Sequence, residues 1–243
     1  MKTGLIVPDC HIPYEDKKAF NLMLKVARGI KPDIIVTMGD LADFYSVSSF
    51  NKDPNRTALL ENEVASVNKR LDELDSLGAK EKYFIEGNHC DRLTRYLSEK
   101  APALFNSVKV SNLFELKKRK WKFVPYKNHI QVGKLFFTHD TGKSGKYAHY
   151  QSMDDFQASV VIGHTHRIGY TVVGNAQGKP HVGAMVGWLG NLDEVDYMHK
   201  IKAQRDWALG FGVFYMEPNG NVHVQPVPIV DYKAVVEGRL FKV

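Results

Sequence analysis

Five apolar, strand-like runs along this chain each break off into a short polar cluster. The clusters are Asp9-Cys10-His11, Gly39-Asp40-Leu41-Ala42-Asp43, Gly87-Asn88-His89-Cys90-Asp91-Arg92, Thr138-His139-Asp140 and Gly163-His164-Thr165-His166. In an α/β sheet the loops beyond the carboxyl ends of the strands converge on one crevice. Five clusters spread through the sequence can therefore meet at one place in space.

The surrounding pattern supports such a sheet. Leu5-Ile6-Val7, the β-branched run from Asp33 to Met38, and Tyr83-Phe84-Ile85 read as strands. Between them, Asp16 to Arg28 carries Phe20, Leu24 and Ala27 at helical spacing. A second helix places Leu60, Val64, Val67, Leu71 and Leu74 on one face, with Gly78 near its end. Alternating strands and helices predict a largely parallel α/β first half. The second half reads as strands over residues 134–138, 159–162, 169–173, 212–216 and 221–225, with sparse helical signals and a more antiparallel character. Pro218-Asn219-Gly220 reads as a hairpin turn, because Asn-Gly tolerates positive φ. No repeat or linker divides the 243 residues, so one domain over residues 1–243 is expected.

Composition narrows the class. Charged residues at 25% and apolar residues at 44% are globular values, which argues against dominant disorder. Two cysteines cannot staple a disulfide framework and suit a reducing compartment. No run approaches the ~20 apolar residues that span a bilayer. The Leu5–Val7 run stops at Pro8, so it does not read as a signal peptide. A cytoplasmic protein with no membrane partner is expected.

The clusters offer carboxylates from Asp9 and Asp40, an amide oxygen from Asn88, and imidazoles from His11, His139, His164 and His166. Mixed nitrogen and oxygen donors suit manganese, iron, zinc or cobalt better than magnesium or calcium. Seven donors exceed the four of a tetrahedral zinc site. They suit two divalent cations roughly 3.5–4 Å apart with a shared carboxylate.

The ordered set D-x-H, G-D-x-x-D, G-N-H, H and G-H-x-H resembles the calcineurin-like metallophosphoesterase superfamily, compact bacterial and phage members in particular. It covers residues 9 to 166, about two-thirds of the chain. The resemblance implies an α/β fold, a four-layer α-β-β-α sandwich of two mixed sheets. It also implies a dinuclear centre, manganese first, with iron, zinc, nickel or cobalt as alternatives. One metal would be held by Asp9, His11, Asp40 and His166. The other would be held by Asp40, Asn88, His139 and His164, with Asp40 bridging. His89 would be the catalytic histidine outside the ligand set. The implied reaction is phosphoester hydrolysis, in which a metal-bound hydroxide attacks phosphorus while His89 assists the leaving group.

Arg92 and Arg167 lie just past two motifs and could clamp phosphoryl oxygens. His149, in a glycine-containing stretch after His139, could reach substrate. Asp43 is expected to brace its loop, and Trp188 and Trp207 to fill the core. The acid that usually follows G-N-H is replaced by Cys90. Cys90 and Cys10 both flank proposed ligands and read as small space-filling side chains, in preference to redox-active thiols.

The net charge is +6, but the excess is local. Residues 109–146 carry ten Lys and Arg against only Glu115 and Asp140. Lys143 and Lys146 sit beside Tyr147 and Tyr150. Phosphate attraction with base stacking is how single strands are held. The expected activity is therefore a phosphodiesterase acting on DNA or RNA (a nuclease) or on nucleotides. A phosphomonoesterase, whether nucleotidase or protein phosphatase, is the alternative. A non-catalytic metal-binding assembly subunit is the second alternative. The longer signatures of the protein-phosphatase branch are absent around Asp9 and Asp43.

Overall fold

A computed structural model describes all residues except 51, 53–58, 175 and 195–205. In chain order the first half contains β1 (Lys2–Val7), α1 (Lys17–Ile30), β2 (Ile34–Thr37), α2 (Leu60–Asp75), β3 (Glu81–Ile85), α3 (Asp91–Lys100), α4 (Val110–Leu113) and β4 (Lys122–Val124). There follow β5 (His129–Val132), β6 (Leu135–Thr138), α5 (Ala148–Phe156), β7 (Ser159–Ile162), β8 (Ile168–Val173) and β9 (His181–Val186). The chain continues with β10 (Gly210–Met216), β11 (Val222–Pro228), β12 (Lys233–Val236) and β13 (Arg239–Lys242).

Local chemistry sets the helix ends. The Asp16 carboxylate caps α1, accepting from the Lys18 and Ala19 N–H groups at 2.9 Å. Lys31, at φ 48°, turns the chain out of that helix. The faces that these helices bury are the ones read from periodicity: Phe20, Leu24 and Ala27 on α1, and Val67, Leu71 and Leu74 on α2.

Two large mixed sheets form. One runs β11-β10-β1-β2-β3-β4 and the other β5-β6-β7-β9-β8. Alternation along the strands then produces layers. Leu5 and Val7 point to a core shared with α1, α2 and α3, whereas Ile6 points to a core between the sheets. Ile35 faces the helices, while Ile34 and Val36 face the second sheet. Val161 faces the first sheet, while Val160 and Ile162 pack with Ala148 and Met153 of α5. Three apolar clusters thus fill the three gaps of the four-layer α-β-β-α sandwich expected from the motifs.

The second half has the more antiparallel character read from the sequence, around a parallel core. β6, β7 and β9 run parallel, and α5 crosses between the first two. Within this sheet β5 pairs antiparallel with β6 and β8 with β9, and outside it β12 pairs antiparallel with β13. β10 and β11 leave that half and extend the first sheet, pairing antiparallel at its edge. The hairpin at Pro218–Gly220 forms between them, with Gly220 at φ 83°. Among the described residues no helix is long and apolar enough to cross a membrane.

Glu63 on α2 is buried. One of its carboxylate oxygens accepts from Ser46 Oγ at 2.9 Å, and the other has no hydrogen-bond partner. Burial, with the Asp43 carboxylate adding to it, pushes the Glu63 carboxyl up to about 7 from an ordinary 4.5. The native state therefore holds its proton longer than the unfolded chain. This contribution is full below pH 4.5 and is lost as the pH rises towards 7. The Glu63→Gln variant is expected to be more stable than wild type at pH 8 by up to roughly 3 kcal/mol and nearly equal at pH 4.5. Urea melts at the two pH values check this. An unchanged difference would contradict it.

Candidate metal centre

The five clusters all follow strands, and the parallel strands of both sheets deliver them to one end of the sandwich. Asp9 and His11 follow β1, Asp40 follows β2, and Asn88 and His89 follow β3. His139 follows β6, and His164 and His166 follow β7. Backbone hydrogen bonds stitch the loops together. The Cys10 and His11 N–H groups donate to the Asp40 carbonyl at 3.1 and 2.9 Å, and Gly163 N–H donates to the His139 carbonyl at 3.0 Å.

The loops turn sharply. His11, Asp40, His164 and His166 have φ of 52°, 44°, 66° and 57°. Left-handed backbone at non-glycine residues is costly and concentrates at functional sites. Glycines supply the room: a Cβ on Gly87 would lie 2.1 Å from Asp40 Oδ1, and one on Gly39 would lie 2.2 Å from His139 Nδ1.

Every one of the seven expected metal donors is brought into this cluster. His11 Nε2 lies 3.0 Å from His166 Nε2, which is 3.3 Å from Asp9 Oδ2. His139 Nε2 lies 2.8 Å from Asn88 Oδ1 and 3.3 Å from Asp40 Oδ2. His164 Nδ1 is 2.9 Å from the same Asn88 oxygen. Three groups of donors fall close enough for one ion each: Asp9 with His11 and His166, His11 with Asp40 and His89, and Asp40 with His139 and His164. Asp40 belongs to two of these groups.

The chemistry of the donors fits divalent cations. His139 gives its Nδ1–H to the Met38 carbonyl at 2.8 Å, so in the neutral ring Nε2 presents a lone pair to two oxygens that also carry only lone pairs. His11 gives its Nδ1–H to Asp43 and presents Nε2 to another imidazole nitrogen in the same way. Asp9 Oδ1 is buried without a hydrogen-bond partner. Lone pairs crowded together in a buried site need a shared positive charge.

The titration behaviour shows the same demand. Burial alone would raise the Asp40 carboxyl, but His139 and His89 outweigh it and hold it well below the usual range. Burial alone would lower His139, and the Asp40 carboxylate overrides it, raising the ring to about 9. For His166 burial prevails over Asp9, and its ring falls to about 4. That imidazole stays neutral, with a lone pair available.

Asp43 does more than brace its loop. Its Oδ2 takes both His11 Nδ1 and His89 Nδ1, at 3.1 and 3.0 Å. Its Oδ1 takes Arg92 Nη1 at 2.9 Å. Arg92 also reaches His89 Nε2 through Nη2 at 3.1 Å. The Arg92 guanidinium is therefore buried inside the site and committed to Asp43 and His89. Arg167 is committed as well, bound to both Asp206 oxygens at 2.6 and 2.7 Å and to the Thr165 carbonyl at 2.9 Å. His149 lies elsewhere, buried between α5 and the second sheet, with Nε2 2.9 Å from Thr171 Oγ1 and its ring against Gly169.

Trp188 and Trp207 do not simply fill the core, since both pack on His166. Neither stands within a motif, so spacing gave no sign of this. The pairing of Asp43 with His89 was open to inference from G-D-x-x-D and G-N-H, both carried by adjacent parallel strands. The two thiols are buried and directed at carbonyls, Cys10 at Pro8 and Cys90 at Ala42. Burial raises both well above the ordinary value, which matches space-filling thiols.

The calcineurin-like phosphoesterase family model matches residues 5–213. The "Gene 54 protein" of Mycobacterium phage D29 is 30% identical over an alignment of 266 positions that spans 100% of this chain and 99% of the relative. Its counterpart in Mycobacterium phage L5 is 29% identical over the same spans. Among solved structures, Vacuolar Protein Sorting 29 from Cryptosporidium parvum aligns with 98% of this chain and 94% of its own, at 15% identity and a TM-score of 0.49.

Two substitutions test the construction of the site. The Gly87→Ala Cβ would meet not only the Asp40 carboxylate but also its backbone nitrogen at 2.4 Å, so rotation of a side chain cannot relieve it. Isothermal titration with Mn²⁺ should show that this variant loses most of its binding. The Asp43→Asn variant, with His11 and His89 no longer held by a shared carboxylate, should bind Mn²⁺ ~10–100-fold more weakly. Wild-type affinity in both variants would contradict the assignment.

Proposed function

The chain belongs to the calcineurin-like phosphoesterase family, and from that premise we propose that it is a hydrolase of phosphodiesters dependent on two divalent cations, with nucleic acid as substrate. The observation that carries this reading is the set of seven donors, five buried and two half-buried, whose lone pairs face one another. Asp9, His11, Asp40 and His166 would hold one cation. Asp40, Asn88, His139 and His164 would hold the other. Asp40 would be the bridging group, since it is the one carboxylate that belongs to two of the donor groups. Manganese suits this donor set. When bound, such a cation pair supplies positive charge for the phosphoryl oxygens and lowers the pKa of an attacking water.

The chain's own residues do the rest. Asp43 fixes the His89 ring through Nδ1, leaving Nε2 as the atom that handles the leaving-group proton. That nitrogen is in contact with Arg92 Nη2 at 3.1 Å. An arriving phosphoester oxygen takes the place of this contact and is met by both groups. His11 and His139 are fixed through their Nδ1 atoms, so neither ring can swivel away from the centre.

Two features favour a diester. Arg167 is held by both oxygens of Asp206, so it is not offered to the second negative charge of a monoester. The rim carries the means to hold a strand: Tyr147 is 61% exposed with Lys146 5.0 Å over its ring, and Tyr150 is exposed one turn along α5. The basic stretch divides by topology. Lys117–Lys120 precede β4, at the end of the sheet away from the site, and there Arg119 is paired with Asp72 and Asp75. Lys127, Lys143 and Lys146 follow strands on the site side.

With Mn²⁺, the protein should hydrolyse bis-(p-nitrophenyl) phosphate faster than p-nitrophenyl phosphate, and a chelator should abolish both. A reversed ranking would favour a monoesterase, and no turnover with metal bound would contradict hydrolysis. The His89→Ala variant should retain metal and lose ~10²–10⁴-fold in kcat. A full rate would remove His89 from the reaction. Cleavage of single-stranded DNA should fall steeply between 50 and 200 mM salt, as expected when phosphate contacts dominate (roughly 10³-fold or more for six such contacts).

A further inference from the structure

The imidazoles of the centre are not held alike. A metal-binding histidine ordinarily gives its second ring nitrogen to a carboxylate or carbonyl, which fixes the ring. His11 has Asp43 in that place and His139 has the Met38 carbonyl. His166 has neither: its Nδ1 is buried without a hydrogen-bond partner among the described residues. Two indoles surround the ring instead. Trp188 stacks on it with centroids 4.7 Å apart and planes 14° apart, and Trp207 meets it edge-on at 4.4 Å and 79°. The indoles brace each other at 4.9 Å and 65°. Backbone bonds fix the trio, since Ala208 N–H donates to the His166 carbonyl at 3.0 Å and Trp188 N–H donates to the Ala208 carbonyl at 3.1 Å.

This packing cannot be assigned to core filling alone. The Trp188 indole N–H is itself buried without a partner among the described residues, an unfavourable choice for a residue whose task is only to fill space. A flat ring stacked on one face and blocked at its side cannot turn about its own axis, and its Nε2 stays directed at His11 Nε2 and Asp9.

We infer that Trp188 and Trp207 are positioning residues, which hold the His166 ring towards a divalent cation by aromatic packing where the other rings are held by hydrogen bonds, and whose fluorescence reports occupancy of that position. The inference rests on the reading above, in which Asp9, His11 and His166 hold a cation.

The chain has three tryptophans. The third, Trp121, packs in the helix-side core and donates to Asp75 at 2.9 Å, so it serves as an internal control. The experiment strips the full chain of metal and titrates it with Mn²⁺, following tryptophan emission and, separately, free Mn²⁺ by electron paramagnetic resonance. Wild type and Trp121→Phe should show the same saturable quenching. Trp188→Phe, which keeps a stacking ring, should bind with near wild-type affinity and lose part of the quenching. Trp188→Leu and Trp207→Leu should raise the Mn²⁺ dissociation constant ~10-fold or more. Trp207 is less buried than Trp188, so its variant decides the matter if Trp188→Leu does not fold. Unchanged affinity in the folded leucine variants, or Mn²⁺ bound by wild type without quenching, would overturn the inference. A wild-type chain that takes up no Mn²⁺ at all would contradict the hydrolase reading itself, and the inference with it.

Discussion

At the centre of this molecule, groups that ordinarily repel are packed into contact. Carboxylate, amide and imidazole lone pairs face one another at 2.8–3.3 Å, beneath a surface that excludes water from nearly all of them. A buried crowd of carboxylates and unshared lone pairs is among the most expensive things a fold can contain. The chain concentrates it by design, with four of the residues concerned in left-handed backbone and three loop glycines whose Cβ would collide with the cluster. The proposed pair of divalent cations would resolve this, by occupying the lone pairs and neutralising the carboxylates.

The layers of the sandwich make such a site possible. Each strand alternates between two apolar cores, so its backbone is gripped from both sides up to the last residue. The strained loops then begin from a rigid edge. Parallel strands from two sheets end on the same side, which brings side chains from both sheets within reach of each other. Around them the supports differ from ring to ring. A carboxylate holds His11, a backbone carbonyl holds His139, and two indoles hold His166. Asp43 ties the proposed proton-handling residue to a proposed metal ligand through one oxygen, so the two cannot shift independently.

The sequence made part of this legible. Metal donors must be polar residue types set at strand ends, and this restriction made Asp9, His11, Asp40, Asn88, His139, His164 and His166 stand out. The strands β1, β2, β3 and β7 were visible because buried strands need runs such as Leu5-Ile6-Val7. β9 was hidden by its own packing. Gly183 and Ala184 give it little apolar signal, yet Gly183 is there because a Cβ would lie 2.4 Å from the His149 carbonyl. The helix α5 was hidden for a related reason. Its buried face includes His149 and Ser152, polar residues that periodicity does not count. Without these two elements the parallel β6-β7-β9 core inside the more antiparallel second half stayed hidden. The indoles could not be found by spacing, since stacking on His166 depends on where a distant loop returns. Net charge misled in another way. A run such as Lys117–Lys120 is conspicuous in sequence, but only the direction of β4 shows that it lies away from the site.

The most direct measurement is the number of cations that the intact chain holds. After removal of metal and reconstitution with excess Mn²⁺, elemental analysis of the desalted protein should find two equivalents per chain in wild type, and fewer when Asp40 is replaced by Asn. No retained metal in wild type, or a count that Asp40→Asn leaves unchanged, would contradict the central reading of this site.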